Sequence, residues 1–344
     1  MTESVAENRC IVLARRPDGA LQHGDLRLER VPLPQPGDGE VLLRTLWLSL
    51  DPYMRSRMNA QASYAEPVAI DAVMVGATVS RVVASNRDDF AVGDLVLAAS
   101  GWQDYAVSDG SDLTRLDASL PRPSLALGAM GMPGFAAFVG MLDIGEPKAG
   151  ETVLVSAATG AVGSIAGQIA RLCGARVVGI AGGDEKCRYA VEQLQYDACV
   201  DHQAHDFAER LAAACPDGVD VFFENVGGAV WEAALPLVND HARIALSGLV
   251  ANYNRATPND GPVDLTAQWL RILLTRRVRL QGFIIFEHYE TRHAAFVEQM
   301  GAWLRDGRIA IAEDVIDGLE HATAGLIGLL RGDNLGKLVV RVAD

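Results

Sequence analysis

The chain has little of what a disulfide-bonded or metal-stapled protein needs. Its 344 residues include five cysteines, at Cys10, Cys173, Cys187, Cys199 and Cys215. None stands in CxxC spacing, and none has a histidine at ligand spacing beside it. A disulfide framework or a structural zinc is therefore not expected, and a reducing cytoplasm is. Positive charge is also scarce: 30 Lys and Arg against 44 Asp and Glu leave a net charge of −14. Nucleic acid and anionic membranes attract basic surfaces, so neither is an expected partner. The opening "MTESVAENRC" lacks an apolar core and does not read as a signal peptide. The uncharged stretch Pro123 to Leu142 approaches a membrane span in length, yet its glycines and Pro133 mark it as buried connections around a core helix. No GxSxG elbow follows a strand, which argues against a serine hydrolase. Internal repeats and low-complexity tracts are absent.

Two patterns of apolar residues are present instead. Up to about residue 120, short Val- and Leu-rich runs ("EVLLRTLWLSL", "AVMVGATVSRVVAS", "VGDLVLAAS") are broken by Pro, Gly and Asp, as in a mostly β domain. From Glu151, strands and helices alternate. "TVLVS", "ARVVGIA", "DACV", "VDVFFEN", "ARIALSG" and "VRLQGFIIF" read as strands, with helices such as 184–194 and 204–214 between them. This predicts an α/β protein with a doubly wound parallel sheet beside a β domain. A helix around 319–330 and a strand "GKLVVRV" close the chain.

The first strand-to-helix bend reads Ala157-x-x-Gly160-x-x-Gly163. Such a bend lets backbone N–H groups of Gly160, Ala161, Val162 and Gly163 approach a pyrophosphate at a helix N-terminus. Small residues also serve tight helix–sheet packing, but the strand before and the amphipathic helix after favour a dinucleotide. The second strand ends Ile180-Ala181-Gly182-Gly183, without the acid that binds the ribose 2′-OH of NAD. A 2′-phosphate fits over Gly183, with Lys186 in the next helical turn to reach it and Arg188 as a second cation. The expected cofactor is NADP(H). A solvated surface lysine is the other reading of Lys186.

Further stretches then tie the chain to a family. "DPYMRSRM", "GMPGFAAF", "KAGETVLVSAATGAVGS", "GIAGGDEKCRY", "FFENVGG", "QGFIIF" and "NLGKLVV" resemble the zinc-independent medium-chain dehydrogenase/reductases. Within them the chain is similar to the prostaglandin reductase and alkenal double-bond reductase branch, which includes curcumin reductase-like enzymes. The resemblance implies a GroES-like β domain formed by residues 1–128 and 307–344, with a Rossmann NADP-binding domain at 129–306 between them. It implies NADPH-dependent reduction of the C=C bond of α,β-unsaturated aldehydes and ketones, and a homodimer. "VRLQGFIIF" offers an apolar edge strand that would be hazardous if left unpaired. The zinc-dependent relatives' Gly-His-Glu stretch is replaced here by Gly76-Ala77-Thr78, and their four-cysteine lobe by "ASGWQDYAV", so no metal is expected.

The resemblance also suggests residues. Tyr253 is expected beside the nicotinamide, donating to the substrate carbonyl as negative charge develops there; the other reading is a loop tyrosine packed on its neighbours. The cofactor-binding set adds His202, Asn225, Phe283, Ile284, Asn334 and Gly336. His202 stands where relatives carry a tyrosine, and either bonds the adenosine phosphate or lies on the surface. Asn225 is otherwise a turn residue, Phe283 and Ile284 a core strand, and Asn334 with Gly336 an ordinary turn. Tyr53 and Tyr64 are candidates for the substrate-pocket wall or for β-domain core. Ala136, Phe138, Ala251 and Asn252 depart from the family's pattern and leave substrate choice open. A quinone reductase and a non-catalytic NADPH-binding protein are the competing readings.

Overall fold

Antiparallel pairing of the short Val/Leu runs builds one part of the chain, and parallel pairing builds the other. The computed structural model describes residues 7–61, 64–117, 120–254 and 266–343, so most of the polar opening segment lies outside the described residues. The chain divides into two compact units. One comprises Met1–Leu127, Glu313–Asn334 and Leu338–Asp344; the other comprises Gly128–Ala312 and Leu335–Lys337.

In the first unit, Val41–Ser49 is the central strand of an antiparallel sheet. It pairs with Thr78–Ser85 and Tyr105–Ser108, and with the C-terminal strand Lys337–Arg341 through Val339 opposite Ser49. Leu13, Leu48, Met54, Trp102 and Val340 are buried together beneath it. Of the predicted run 72–85, only Thr78–Ser85 forms a strand. The preceding residues are apolar because they thread the core: Met74 is fully buried, and it bonds Ile11 and Trp102 through its backbone.

The second unit opens with α1 (Met132–Val139), inside the uncharged stretch, with every residue after Met132 buried. The alternation then runs β1 (Thr152–Val155), α2 (Gly163–Leu172), β2 (Arg176–Ala181), α3 (Asp184–Glu192), β3 (Ala198–Asp201), α4 (Phe207–Ala214), β4 (Val219–Glu224), α5 (Gly228–Ala234), β5 (Val238–Leu246), α6 (Thr266–Thr275), β6 (Arg279–Gly282) and α7 (Tyr289–Arg305). The six strands are parallel in the order β3-β2-β1-β4-β5-β6. That order reverses direction between β1 and β4, where the crevice of a doubly wound sheet opens. Helices cover both faces, so the central strands are buried on both sides and read as continuous apolar runs.

The last strand differs from its prediction. "VRLQGFIIF" supplies only the four residues of β6, all exposed at the sheet edge. Phe283 leaves the strand and packs its ring on Gly140 and Phe223, where a β-carbon on Gly140 would lie 2.8 Å from the Phe283 Cζ. The apolar character of this stretch serves the core after β6 as much as the edge itself.

Candidate functional site

The bend after β1 is held by its own backbone. Ser156 N–H donates to Phe223 O of β4 at 3.1 Å, and Ala158 N–H donates to Ile180 O of β2 at 2.9 Å. Between them Ala157 takes a left-handed conformation (φ 48°), a region that costs an L-residue roughly 1–2 kcal/mol. This turns its carbonyl inward to accept from Gly160 N–H at 2.9 Å. A β-carbon on Gly163 would sit 2.3 Å from that oxygen, so no side chain fits there; at Gly160 the distance is 3.2 Å. The backbone of this bend and the N-terminus of α2 form a cradle for an anion.

One residue missed in the sequence, Tyr196, and one expected from it, Gly336, brace this cradle. Tyr196, fully buried, donates its hydroxyl to Gly163 O at 2.7 Å, and its ring fills the space beside Gly167. Gly336 donates to Thr159 O at 2.8 Å and bridges Gly160, which brings the C-terminal segment onto the bend. Its φ of 77°, and the Ala312 oxygen 2.2 Å from where a β-carbon would be, explain why only glycine stands at 336. Asn334 belongs to the other compact unit.

At the end of β2, Gly182 and Gly183 leave a surface without side chains. Gly183 (φ 85°) caps α3, whose first turn holds Asp184, Glu185 and Lys186. Its N–H donates to Asp201 Oδ1 at 2.8 Å, and Gln203 N–H donates to the same oxygen at 2.9 Å. Burial opposes the charge on Asp201, but these two bonds hold its carboxyl below the usual range. The acid absent from β2 thus has a neighbour on β3, engaged with backbone. His202 is exposed, with its ring Nε2 3.1 Å from the β-carbon position of Gly182. Lys186 is half-buried and Arg188 is exposed.

The crevice between β1 and β4 gathers a polar cluster. Asn225 donates its backbone N–H to Ser156 Oγ at 2.7 Å and its Nδ2 to Ser156 O at 2.9 Å, tying the two strand ends together. Glu224 is completely buried and accepts from the backbone of Val226 and Gly227, while its Oε2 has no bonding partner among the described residues. Burial pushes its carboxyl above the usual range, against the bonds from Ser156 and the 225–227 backbone. Neither Ser156 nor Glu224 announced itself in the sequence; an acid inside the apolar run "VDVFFE" was the available signal.

The loop after β5 folds back on this cluster through Val250 N–H to Asn225 O and Ala251 N–H to Val226 O. Tyr253 follows in this segment, its hydroxyl 3.7 Å from the β-carbon position of Gly248, itself beside Asn225. Burial raises the Tyr253 hydroxyl above its ordinary range, opposed by a bond from the Leu249 backbone, so it is a neutral phenol at pH 7. Ile284 adopts an extended conformation and its carbonyl accepts from Glu287 N–H at 3.1 Å. Phe138 and Ala136 are buried in α1; Phe138 packs against Phe296, with Arg292 over its ring.

Tyr53 and Tyr64 lie in the first unit. Tyr53 opens the short helix Tyr53–Ser56, and burial first, then the Asp51 carboxylate and Tyr64, raise its hydroxyl far above its ordinary range. Tyr64 is exposed. Arg55 of the same helix is buried and bonds Asn59 Oδ1 and Gly19 O, which fixes the helix that carries Tyr53. Among the described residues, no group of three or more His, Cys, Asp or Glu side chains is placed to hold a metal ion.

The geometry has counterparts in known proteins. Residues 9–116 match the family described as the N-terminal domain of oxidoreductase, and residues 161–299 match that described as zinc-binding dehydrogenase. The chain is 53% identical to the NADPH-dependent curcumin reductase of Escherichia coli K12, over 100% of this chain and 99% of that one. It is 40% identical to prostaglandin reductase 1 of Bos taurus, over 93% and 94% of the two chains. Among solved structures, CurA of Vibrio vulnificus in complex with NADPH shares 52% identity and a TM-score of 0.94, covering 98% of this chain and 99% of that one. With its parallel sheet in Rossmann order, its anion cradle and this whole-length similarity, the chain belongs to the medium-chain dehydrogenase/reductases, in the branch of the prostaglandin and alkenal reductases.

Proposed function

We propose that the protein is an NADPH-dependent reductase of carbon–carbon double bonds conjugated to an aldehyde or ketone. The observation that carries this reading is the whole-length identity with an NADPH-dependent curcumin reductase, since curcumin is itself an α,β-unsaturated ketone. The pocket chemistry agrees. The cradle at Gly160–Gly163 suits a pyrophosphate, and the bare Gly182–Gly183 notch with Lys186 nearby suits a 2′-phosphate.

Bound NADPH supplies a hydride to the β-carbon of the conjugated system. The chain's own part is to accommodate the negative charge that shifts to the carbonyl oxygen. Tyr253 is assigned this role, because its hydroxyl takes a bond from the Leu249 backbone, which leaves its proton to be donated. One preorganised donor of this kind typically contributes on the order of 3 kcal/mol to lowering the barrier. Asn225 and Ser156 hold the nicotinamide side of the crevice in register, and Glu224 fixes the turn that follows. Gly336 completes the cofactor cradle, while His202 and Phe283–Ile284 are assigned to its two ends. Asn334 is assigned to the cofactor, and Tyr53 and Tyr64 to the substrate.

The exposed edge strand β6, with Leu280 on it and Leu270 and Leu274 exposed on α6, supports a homodimer. The five free cysteines support a cytoplasmic location. The deciding experiment is NADPH oxidation with a panel of enals, enones and a benzoquinone, repeated with NADH. The reading requires turnover of enals or enones with NADPH preferred; turnover of the quinone alone, or binding without turnover, would overturn it.

A further inference from the structure

Cys187 and Cys199 sit at the adenosine end of the cofactor site. Cys187 lies on the first turns of α3, one residue after Lys186, and Cys199 lies on β3, two residues before Asp201. Both line a cavity of about 170 Å³ together with Asp184, Val200, Asp201 and Arg210. The two thiols share a hydrogen bond. Cys199 is also pressed against the sheet, its sulfur 3.1 Å from the β-carbon position of Gly179. Both are half-buried, so the cavity gives small solutes access to the pair.

We propose that Cys187 and Cys199 are a reversible dithiol switch that hydroperoxides oxidise to a disulfide, and that the disulfide weakens NADPH binding. The second half rests on the 2′-phosphate site assigned above.

The two thiols are not equivalent. The bond from Cys199 draws the Cys187 thiol below its usual range, against burial and the carboxylates of Asp201 and Asp184. The same bond, with burial, pushes Cys199 far up. Arg210 faces the same cavity but is paired with Asp206 at 2.7 Å. Cys187, near the N-terminal end of α3 where the helix favours a thiolate, is the attacking sulfur, and Cys199, pressed against the sheet at Gly179, is the resolving one. Its thiolate attacks the outer peroxide oxygen, the O–O bond breaks, and an alcohol (water, for hydrogen peroxide) leaves with a proton. The sulfur of Cys199 then attacks the sulfenic acid at Cys187; the S–S bond forms, the S–O bond breaks, and water leaves. Two thiols lose two electrons and one hydroperoxide gains them.

Closing the sulfurs from hydrogen-bonding range to a bond of about 2.05 Å draws the first turn of α3 toward β3. That turn carries Lys186 and is anchored through Gly183 to Asp201. The movement therefore falls on the groups assigned to the 2′-phosphate, and leaves the pyrophosphate cradle on α2 untouched.

The test treats the protein with hydrogen peroxide without cofactor, counts free thiols, and maps cross-links by mass spectrometry. Of the five thiols, two are lost on oxidation and return with dithiothreitol, and the peptides holding Cys187 and Cys199 are joined. Oxidation raises the Kd for NADPH by about fivefold or more and that for NADH by less than about twofold, the difference being the phosphate contact. Cys199→Ser and Cys187→Ala each abolish the cross-link and the peroxide effect. Absence of the 187–199 cross-link overturns the proposal, and so does a cross-link that leaves NADPH affinity unchanged. Failure of the cofactor assignment is seen separately, as a reduced protein with no preference for NADPH over NADH.

Discussion

Replacing Lys186 by alanine tests the assignment of the cofactor most directly. The notch at the end of β2 offers a phosphate no side chain from Gly182 or Gly183, and its rim is acidic: Asp184 and Glu185 are exposed on the first turn of α3, and Asp201 lies one strand over. A nearly doubly charged 2′-phosphate among three carboxylates needs a cation beyond the helix N-terminus. A hydrogen bond to a charged group contributes about 1.5–3 kcal/mol, which at about 1.4 kcal/mol per decade corresponds to roughly a 10- to 150-fold loss of NADPH affinity in Lys186→Ala. NADH has no 2′-phosphate, so its Kd should stay within about twofold. The measurement is quenching of tryptophan fluorescence on titration with each cofactor at fixed ionic strength, because exposed charge interactions are screened within about 10 Å at 0.1 M salt. Equal loss for NADPH and NADH would refute the argument, and would show that the lysine stabilises α3 and does not read the phosphate.

Three other perturbations separate the roles assigned to the site. Tyr253→Phe should lower kcat for an enone by about 100-fold, corresponding to about 3 kcal/mol, with the NADPH Kd within about twofold; an unchanged kcat places the donor elsewhere. Gly163→Ala puts a β-carbon 2.3 Å from Ala157 O, whereas Gly160→Ala leaves 3.2 Å. The first should therefore cost about 1–3 kcal/mol of stability in urea melts and abolish cofactor binding, with the second clearly milder, and the reverse order would contradict the placement of the cradle. Glu224→Gln should stabilise the protein by about 1 kcal/mol near pH 8 and by less near pH 5. The sign follows from the raised folded-state value: the contribution of a protonated Glu224 is fully present below the unfolded-state value and is lost as pH rises through the folded one. Urea melts across that range check it, and a benefit that grows toward acid would be inconsistent with a buried carboxylate.

The parallel sheet was legible because its central strands are buried on both faces, so "TVLVS", "ARVVGIA" and "VDVFFEN" are predominantly apolar runs between helices. The bend was legible for a steric reason, since Gly163 lies against a carbonyl and no larger residue fits. Other features left weaker traces. Phe283 and Ile285 look like strand residues but pack after the strand has ended, and apolarity alone does not distinguish the two. Helix α7 mixes polar and apolar residues with little one-sidedness, and its buried face is aromatic: Phe296 and Trp303 pack around Phe138. The left-handed turn at Ala157 is invisible in the residue name, because alanine is not the residue that usually marks such a turn. Tyr196 belongs to the site through a bond made far along the chain, to Gly163, which no local pattern encodes.

The bridge between Gly160 and Gly336 has a consequence for how the protein is made. Synthesis reaches the bend well before it reaches residue 336, which pairs with it. A nascent chain can assemble β1 and α2 early but lacks the partner of the Thr159 carbonyl until residue 336 has been made. Tight retention of the dinucleotide thus marks a chain synthesised through residue 336, and a product of termination before that residue would fold much of its sheet while holding its cofactor poorly.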